Sequence, residues 1–297
     1  MAQVGTLDFK GFVETRREQR AGGAEGKGTA YAYSSDHAMR MAFEKMKPVE
    51  LAVAASVRFF KAAGKAELLG HSVKVGPRQF PRVHGLVAEC SQTLGIATPT
   101  VYITNNITWN AMTSGTNDDA FILVHSGLID RFAEDELRTV IGHECGHIHN
   151  NHVVYLTTMI YLTTMASIFV KWIAEPALVA LKAWSRRAEV TCDRAGMLCS
   201  KSLDASSRVF AKLALGSNKL LPEMNMDEFL AQYEEGKDSI GRYRELFASH
   251  PWLPKRVLAL RAFAESDLYK HHAGIEGSGL SMEDVDNRVH DIIKVIG

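Results

Sequence analysis

The chain has 297 residues, enough to bury a sizeable core in one large domain or two modest ones. Hydrophobic residues make up 46% and charged residues 23%, the balance of an ordinary globular chain. Lysine plus arginine equals aspartate plus glutamate at 34 each, so nothing in the charge favours a nucleic-acid or acidic-membrane partner.

Residues 1–35 carry Gly22, Gly23, Gly26 and Gly28 among charges and read as a flexible arm. Met1 to Lys10 lacks the basic stretch and apolar run of a signal peptide, which points to the cytoplasm. Residues 36–79 read as a helical extension. Met39, Phe43 and Met46, then Leu51, Val53, Val57 and Phe60, recur at helical spacing, and Pro48 divides them into two helices. Phe80-Pro81-Arg82 restarts the chain at the head of a main domain, residues 80–265. Val83 to Leu94 then forms an amphipathic helix ended by Gly95.

The β region follows. Thr100 to Thr104, Asn110 to Thr113 and Ala120 to His125 are the strands, with Asn105-Asn106 and Gly115 to Asp118 as turns. From about Ala133 the pattern is helical, with Glu134 and Asp135 in a first turn where the helix dipole favours acids. A C-terminal tail, residues 266–297, offers Ser281 as an N-cap and serves as a packing or partner element. The four cysteines, Cys90, Cys145, Cys192 and Cys199, form no C-x-x-C pair. Two of them fall within the segments that carry the metal-ligand pattern, so reduced thiols are expected.

Residues 143–147 read His-Glu-Cys-Gly-His. On a helix, His143 and His147 lie one turn apart on one face and can present two imidazole nitrogens to one ion. Glu144 is rotated by one residue, placed to take a proton from a zinc-bound water. Leu137, Val140, Ile141, Cys145 and Ile148 turn the helix toward a core, where unpartnered histidines are costly. Gly146 lowers helix propensity and leaves room for another backbone to approach. Six and nine steps from His143, at 100° each, direct His149 and His152 away from the ion, as surface residues or residues behind the ligands.

A catalytic zinc takes three protein ligands and keeps a position for water. No acid lies about twenty residues beyond His147. The candidates are Glu175, Glu189 and Asp193, with Glu175 before Pro176 at a helix break. Glu189 and Asp193, at i and i+4, suit a ligand from a second helix and a carboxylate that fixes a ligand histidine's tautomer. The competing reading is a charged helix surface beside Arg186, Arg187 and Arg194.

HExxH followed after a long gap by ExxxD resembles the HtpX-like gluzincin peptidases, which include the type I CAAX prenyl proteases. Phe80 to Val83, Pro99 to Ile103, Asn110 to Thr113, Ser126 to Leu128, Ala183 to Arg187, and Ser249-His250-Pro251 with Arg256 resemble the same family. The resemblance implies one Zn2+ held by His143, His147 and Glu189, with Glu144 as general base and Asp193 behind the ligands. It also implies a sheet edge along the cleft, Asn110, Ala111, Met112 and Thr113, able to pair with an extended peptide. His250, before Pro251, is read either as a helix-start signal or as facing the cleft with Arg256. In the cleft, His250 would stabilise an oxyanion or cap the zinc at rest.

Val153 to Val170 holds no charge, long enough for a transmembrane candidate. A single crossing would separate His147 from Glu189, so residues 153–181 are expected to form a hairpin turning near Glu175-Pro176. Its apolar surface would lie in the core, in a homo-oligomer contact or against a membrane face. The expected fold is α+β, mostly helical and zincin-like, with a small sheet packed on the HExxH helix. The expected activity is endopeptidase cleavage of protein or peptide substrates, serving quality control or processing. The rival is a latent or non-proteolytic zinc protein serving assembly or a chaperone-like contact.

Overall fold

Short β-branched runs build one sheet, and helices build the rest. In a computed structural model the chain is described over residues 29–295, except 44–45, 47–48, 50–51, 54–55, 58–69, 118, 166–167, 237–244 and 246–247. The expected arm therefore lies outside the described residues up to position 28, as does the division at Pro48. From residue 29 the chain is packed, and Tyr31 and Tyr33 are buried in the main core.

The four strands are β1 (Ser72–Lys74), β2 (Thr100–Thr104), β3 (Ala111–Gly115) and β4 (Ala120–His125), in the order β1-β2-β4-β3. β2 and β4 run parallel, and the two outer pairings are antiparallel. Among the described residues β3 is thus an edge, as the resemblance implies, although it begins at Ala111 and runs on to Gly115. β1 has no counterpart in the sequence reading. Its three residues, Ser-Val-Lys, are too few and too exposed to show alternation. One face of β2 and β4 puts Val101, Ile122 and Val124 into the main core. The other gathers Tyr102, Phe121 and Leu123 in a small second cluster.

The helices labelled are α1 (Ser34–Phe43), α2 (Pro81–Leu94), α3 (Ser126–Arg131), α4 (Glu134–His149), α5 (Val153–Ile160), α6 (Ile168–Ser200), α7 (Leu203–Leu215), α8 (Met226–Gly236), α9 (Leu253–Ala264), α10 (Asp267–Ala273) and α11 (Met282–Ile293). Gly95 caps α2 in the left-handed region with φ 69°, where a glycine costs nothing. Ser281 caps α11 by accepting from the Asp284 N–H. α11 packs inward through Val285, Val289 and Ile293. It is tied to α6 by a buried ion pair, Arg194 Nη2 to Asp286 Oδ1 at 2.7 Å.

The hairpin expectation needs one correction. α6 runs unbroken through Pro176, so the chain does not turn at Glu175-Pro176. Both residues are exposed, so water can satisfy the carbonyl that proline leaves unpaired. On the opposite face Ala177, Leu181, Trp184 and Ala188 pack against Leu156, Met159 and Leu162, with Phe43, Val49 and Ala52 from the N-terminal region. That part of the hairpin's apolar surface is core. No described helix is long and apolar enough to cross a membrane. All four cysteines are free.

α4 and α6 pack closely against each other, and glycine permits it. A Cβ on Gly146 would stand 2.8 Å from Ala195 Cβ, and one on Gly142 would stand 2.7 Å from Cys199 Sγ. From the other side, a Cβ on Gly196 would stand 2.5 Å from the Thr139 carbonyl oxygen. Gly85 in α2 meets nothing within 4 Å. Gly196→Ala should therefore lower stability by about 1–3 kcal/mol through overpacking. Gly85→Ala should raise it by up to about 1 kcal/mol through helix propensity. Urea unfolding of both variants checks the contrast, and equal effects would rule out the close approach.

Candidate metal centre

α4 begins with the Glu136 carboxylate accepting from the Ala133 N–H at 2.7 Å, while Lys212 holds the same oxygen at 2.6 Å. Leu137, Ile141 and Cys145 then face the main core. His143, Glu144 and His147 face α6 and β3. α6 presents Glu189 and Asp193 toward them one turn apart.

The donor atoms converge. His143 Nε2 and His147 Nε2 are 3.2 Å apart. Glu189 Oε2 is 3.5 Å from His143 Nε2, and Glu189 Oε1 is 3.7 Å from His147 Nε2. Ligand atoms about 2.0–2.1 Å from a tetrahedral ion stand about 3.3–3.4 Å from one another, so the set fits such an ion. Two imidazoles and one carboxylate account for three of the four positions of a tetrahedron.

Electrostatics favours the cation-binding forms of His147 and Glu189. Burial and the neighbouring His143 hold His147 well below the usual histidine value, which favours its neutral form. Burial alone would raise the Glu189 carboxyl, but His250, Arg256 and His143 hold it well below the ordinary carboxylate range. His250 Nδ1 lies 3.0 Å from Glu189 Oε2, and Arg256 Nη2 lies 2.9 Å from the same oxygen. Burial opposes the charged form of His143, yet Glu189 and Asp193 outweigh it and raise its pKa. Arg256 also forks onto Asp193, with Nε donating to Oδ2 at 2.8 Å and Nη2 to Oδ1. His143 Nδ1 donates to Asp193 Oδ1 at 2.9 Å, which leaves its Nε2 lone pair toward the other donors.

Glu144 is almost fully buried beside this set. Burial raises its pKa, with His143 acting the other way. The Thr113 hydroxyl of β3 donates to Glu144 Oε2 at 2.6 Å and fixes the carboxylate. Cys145 points away into the core, in line with a packing role.

Nearly every site residue singled out in the sequence is thus brought together: His143, Glu144, His147, Glu189, Asp193, His250, Arg256 and Thr113. Ala111 and Met112 lie on the same edge strand, and Asn110 just before it accepts from the His125 N–H. His250 sits in the bend before α9 and is half-exposed, in contact with Glu189.

His152 takes the place behind a ligand rather than one at the surface, but not by the expected continuous helix. α4 ends at His149, and Asn151 adopts φ 58°. The chain then doubles back, and His152 Nδ1 lies 3.2 Å from His147 Nδ1. The Asn150-Asn151 pair was the available signal, since asparagine tolerates the left-handed conformation that stops a helix. His149 does point elsewhere, to the Tyr31 hydroxyl at 3.0 Å. Beyond His152 lies Asp36, 3.1 Å from its Nε2, for which the sequence offered no signal. Burial opposes its charge, yet His152, with hydrogen bonds from Thr191 and Trp184, keeps the carboxyl below its ordinary value.

His147, His152 and Cys192 form a second convergent set of possible donors. There burial, reinforced by Glu189 and Asp36, pushes the Cys192 thiol well up, which disfavours the thiolate that would ligate.

Comparison with known proteins gives the family. The family model "Peptidase family M48" matches residues 77–264. A plastoglobule-localized metallopeptidase 48 of Arabidopsis thaliana is 33% identical over 216 residues, covering 69% of this chain and 63% of that protein. The protease HtpX of Cellvibrio japonicus is 29% identical over 212 residues, covering 59% of this chain and 69% of the relative. An HtpX homolog of Moorella thermoacetica is 26% identical over 223 residues, covering 63% and 74%. The chain thus spans a little under two thirds of the plant relative's length. No solved structure matches it. The two-helix donor set and the match across residues 77–264 place this chain in peptidase family M48.

Proposed function

We propose that this chain is a zinc-dependent endopeptidase that uses His143, His147 and Glu189 as ligands and Glu144 as general base. The observation that carries this reading is the convergence of the three donor groups on one point, with a buried carboxylate beside them that the donor set does not use. A purely structural metal site has no need of Glu144.

When bound there, zinc lowers the pKa of a water and polarises the scissile carbonyl. Glu144 takes the proton of the attacking water at its carboxylate and passes it to the leaving amine nitrogen. Thr113 holds one Glu144 oxygen, so the other is free to face the water. Asp193 keeps the His143 proton on Nδ1, and Arg256 keeps Asp193 and Glu189 oriented. His250, half-exposed and hinged before Pro251, is suited to donate to the oxyanion once it leaves Glu189, or to cover the ion at rest.

Substrate contact is assigned to β3. Among the described residues its pairing is with β4 alone, so its outer edge suits an added peptide strand at Asn110 to Thr113. Main-chain pairing selects for extended, unfolded segments rather than for a sequence, which fits protein quality control or processing.

For place of action we propose the cytoplasmic face of a membrane, touched peripherally by the 153–181 hairpin. One relative is named for the plastoglobule, and Val179 is exposed on the hairpin's second helix. Carbonate or high-salt washing of membranes should release all of the chain, whereas retention through both washes would count against a peripheral contact.

The catalytic reading is tested with unfolded casein. Cleavage should stop with a zinc chelator and return with added zinc. Glu144→Gln should keep one zinc per chain and lose at least about 100-fold in kcat, the scale of general acid–base catalysis. A Glu144→Gln variant that cleaves as fast as the parent would rule out the assigned base.

A further inference from the structure

Each ligand histidine must keep its proton on Nδ1 so that Nε2 can offer a lone pair. An imidazole buried away from water needs a fixed acceptor to hold that tautomer. His143 has Asp193. For His147 the described residues supply no carboxylate at Nδ1. The atoms facing it are His152 Nδ1 at 3.2 Å and Cys192 Sγ at 3.2 Å. A thiol sulfur is a weak acceptor. His152 accepts well only if its own proton lies on Nε2.

Asp36 settles that tautomer. Its Oδ2 lies 3.1 Å from His152 Nε2 and accepts from the Thr191 hydroxyl at 2.6 Å. Its Oδ1 accepts from Trp184 Nε1 at 2.8 Å. Asp36 and His152 are each 1% exposed, so water cannot replace either contact. The segment that carries Asp36 is itself anchored over the outer side of α4 and α6. The Tyr33 N–H donates to Thr191 Oγ1, and the Tyr31 carbonyl accepts from Arg194.

We propose that Asp36 and His152 are positioning residues of the metal centre. Asp36 accepts from His152 Nε2, His152 Nδ1 accepts from His147 Nδ1, and His147 Nε2 is thereby held as a ligand. Asp36 lies outside the segment matched by the family model, residues 77–264. The N-terminal segment is therefore part of what sets metal affinity. This inference rests on the reading of His147 as a ligand.

The test is zinc affinity of the full chain, measured by competition with a chromophoric chelator. Asp36→Asn and His152→Phe should each weaken zinc binding by about 10–100-fold, the usual cost of losing a partner behind a ligand. His152→Phe keeps a ring against Trp184 and removes the acceptor, so it carries the test if Asp36→Asn fails to fold. The double variant should lose no more than the weaker single one, because both act through one path. Parent-like affinity in both Asp36→Asn and His152→Phe would overturn the proposal. So would two zinc ions per parent chain falling to one in His152→Phe, since the cluster would then be a metal site itself. If the parent binds no zinc, or His143→Ala binds it as tightly, the metal-centre reading fails and takes the proposal with it.

Discussion

The metal centre depends on how closely two helix backbones approach. α4 carries the histidines and α6 carries Glu189, and neither helix alone can surround an ion. A carboxylate on a short glutamate stem reaches a histidine pair only if the helix axes lie nearer than ordinary side chains allow. Gly142 and Gly146 on α4 and Gly196 on α6 remove the side chains that would hold the helices apart. Each of these glycines is unfavourable for an isolated helix. The packing of Ala195, Cys192 and Cys199 into the space they vacate offsets that cost. Gly146 is thus part of the site without offering a ligand atom.

The second constraint is charge. Glu189 and Asp193 are both buried, and Arg256 is the cation in direct contact with both. Two buried carboxylates against one guanidinium leave negative charge uncompensated, a costly arrangement in a low-dielectric interior. His143 answers part of it by holding a proton more tightly. A bound dication would answer the rest and release that proton. The same balance explains why His250 leans on Glu189 despite being half in water. The electrostatics of the donor set and its fit to a cation are one fact seen from two sides.

What the sequence disclosed and what it hid divide along physical lines. Short-range periodicity was enough for α2 with its Gly95 cap, for β2 and β4, and for the face shared by His143 and His147. The ExxxD spacing supplied Glu189 and Asp193, because i and i+4 on one helix is again a local rule. Errors came where a local rule was extended past its domain. His152 was placed by continuing a helix that stops at His149. Pro176 was read as a break, although packing of one α6 face against α5 carries the helix through it. β1 is too short to have a pattern. Asp36 is beyond any local rule, since 116 positions separate it from His152 (152 − 36) and only the tertiary fold brings them together.

That last separation bears on how such a site is assembled. The proposed ligands and base lie within the segment that the family model recognises, residues 77–264, and so does Asp193 beside His143. The proposed support of His147 crosses out of it, through His152 to Asp36. One histidine is therefore oriented by its neighbour on the opposing helix, while the other is oriented by a segment that must first fold across the outside of both. The two ligands of one HExxH pair differ in how much of the chain must be in place before they can bind. The centre then reports on the packing of the N-terminal segment as well as on the two helices, because a change at Asp36 reaches the ion through two imidazole rings and no moving part.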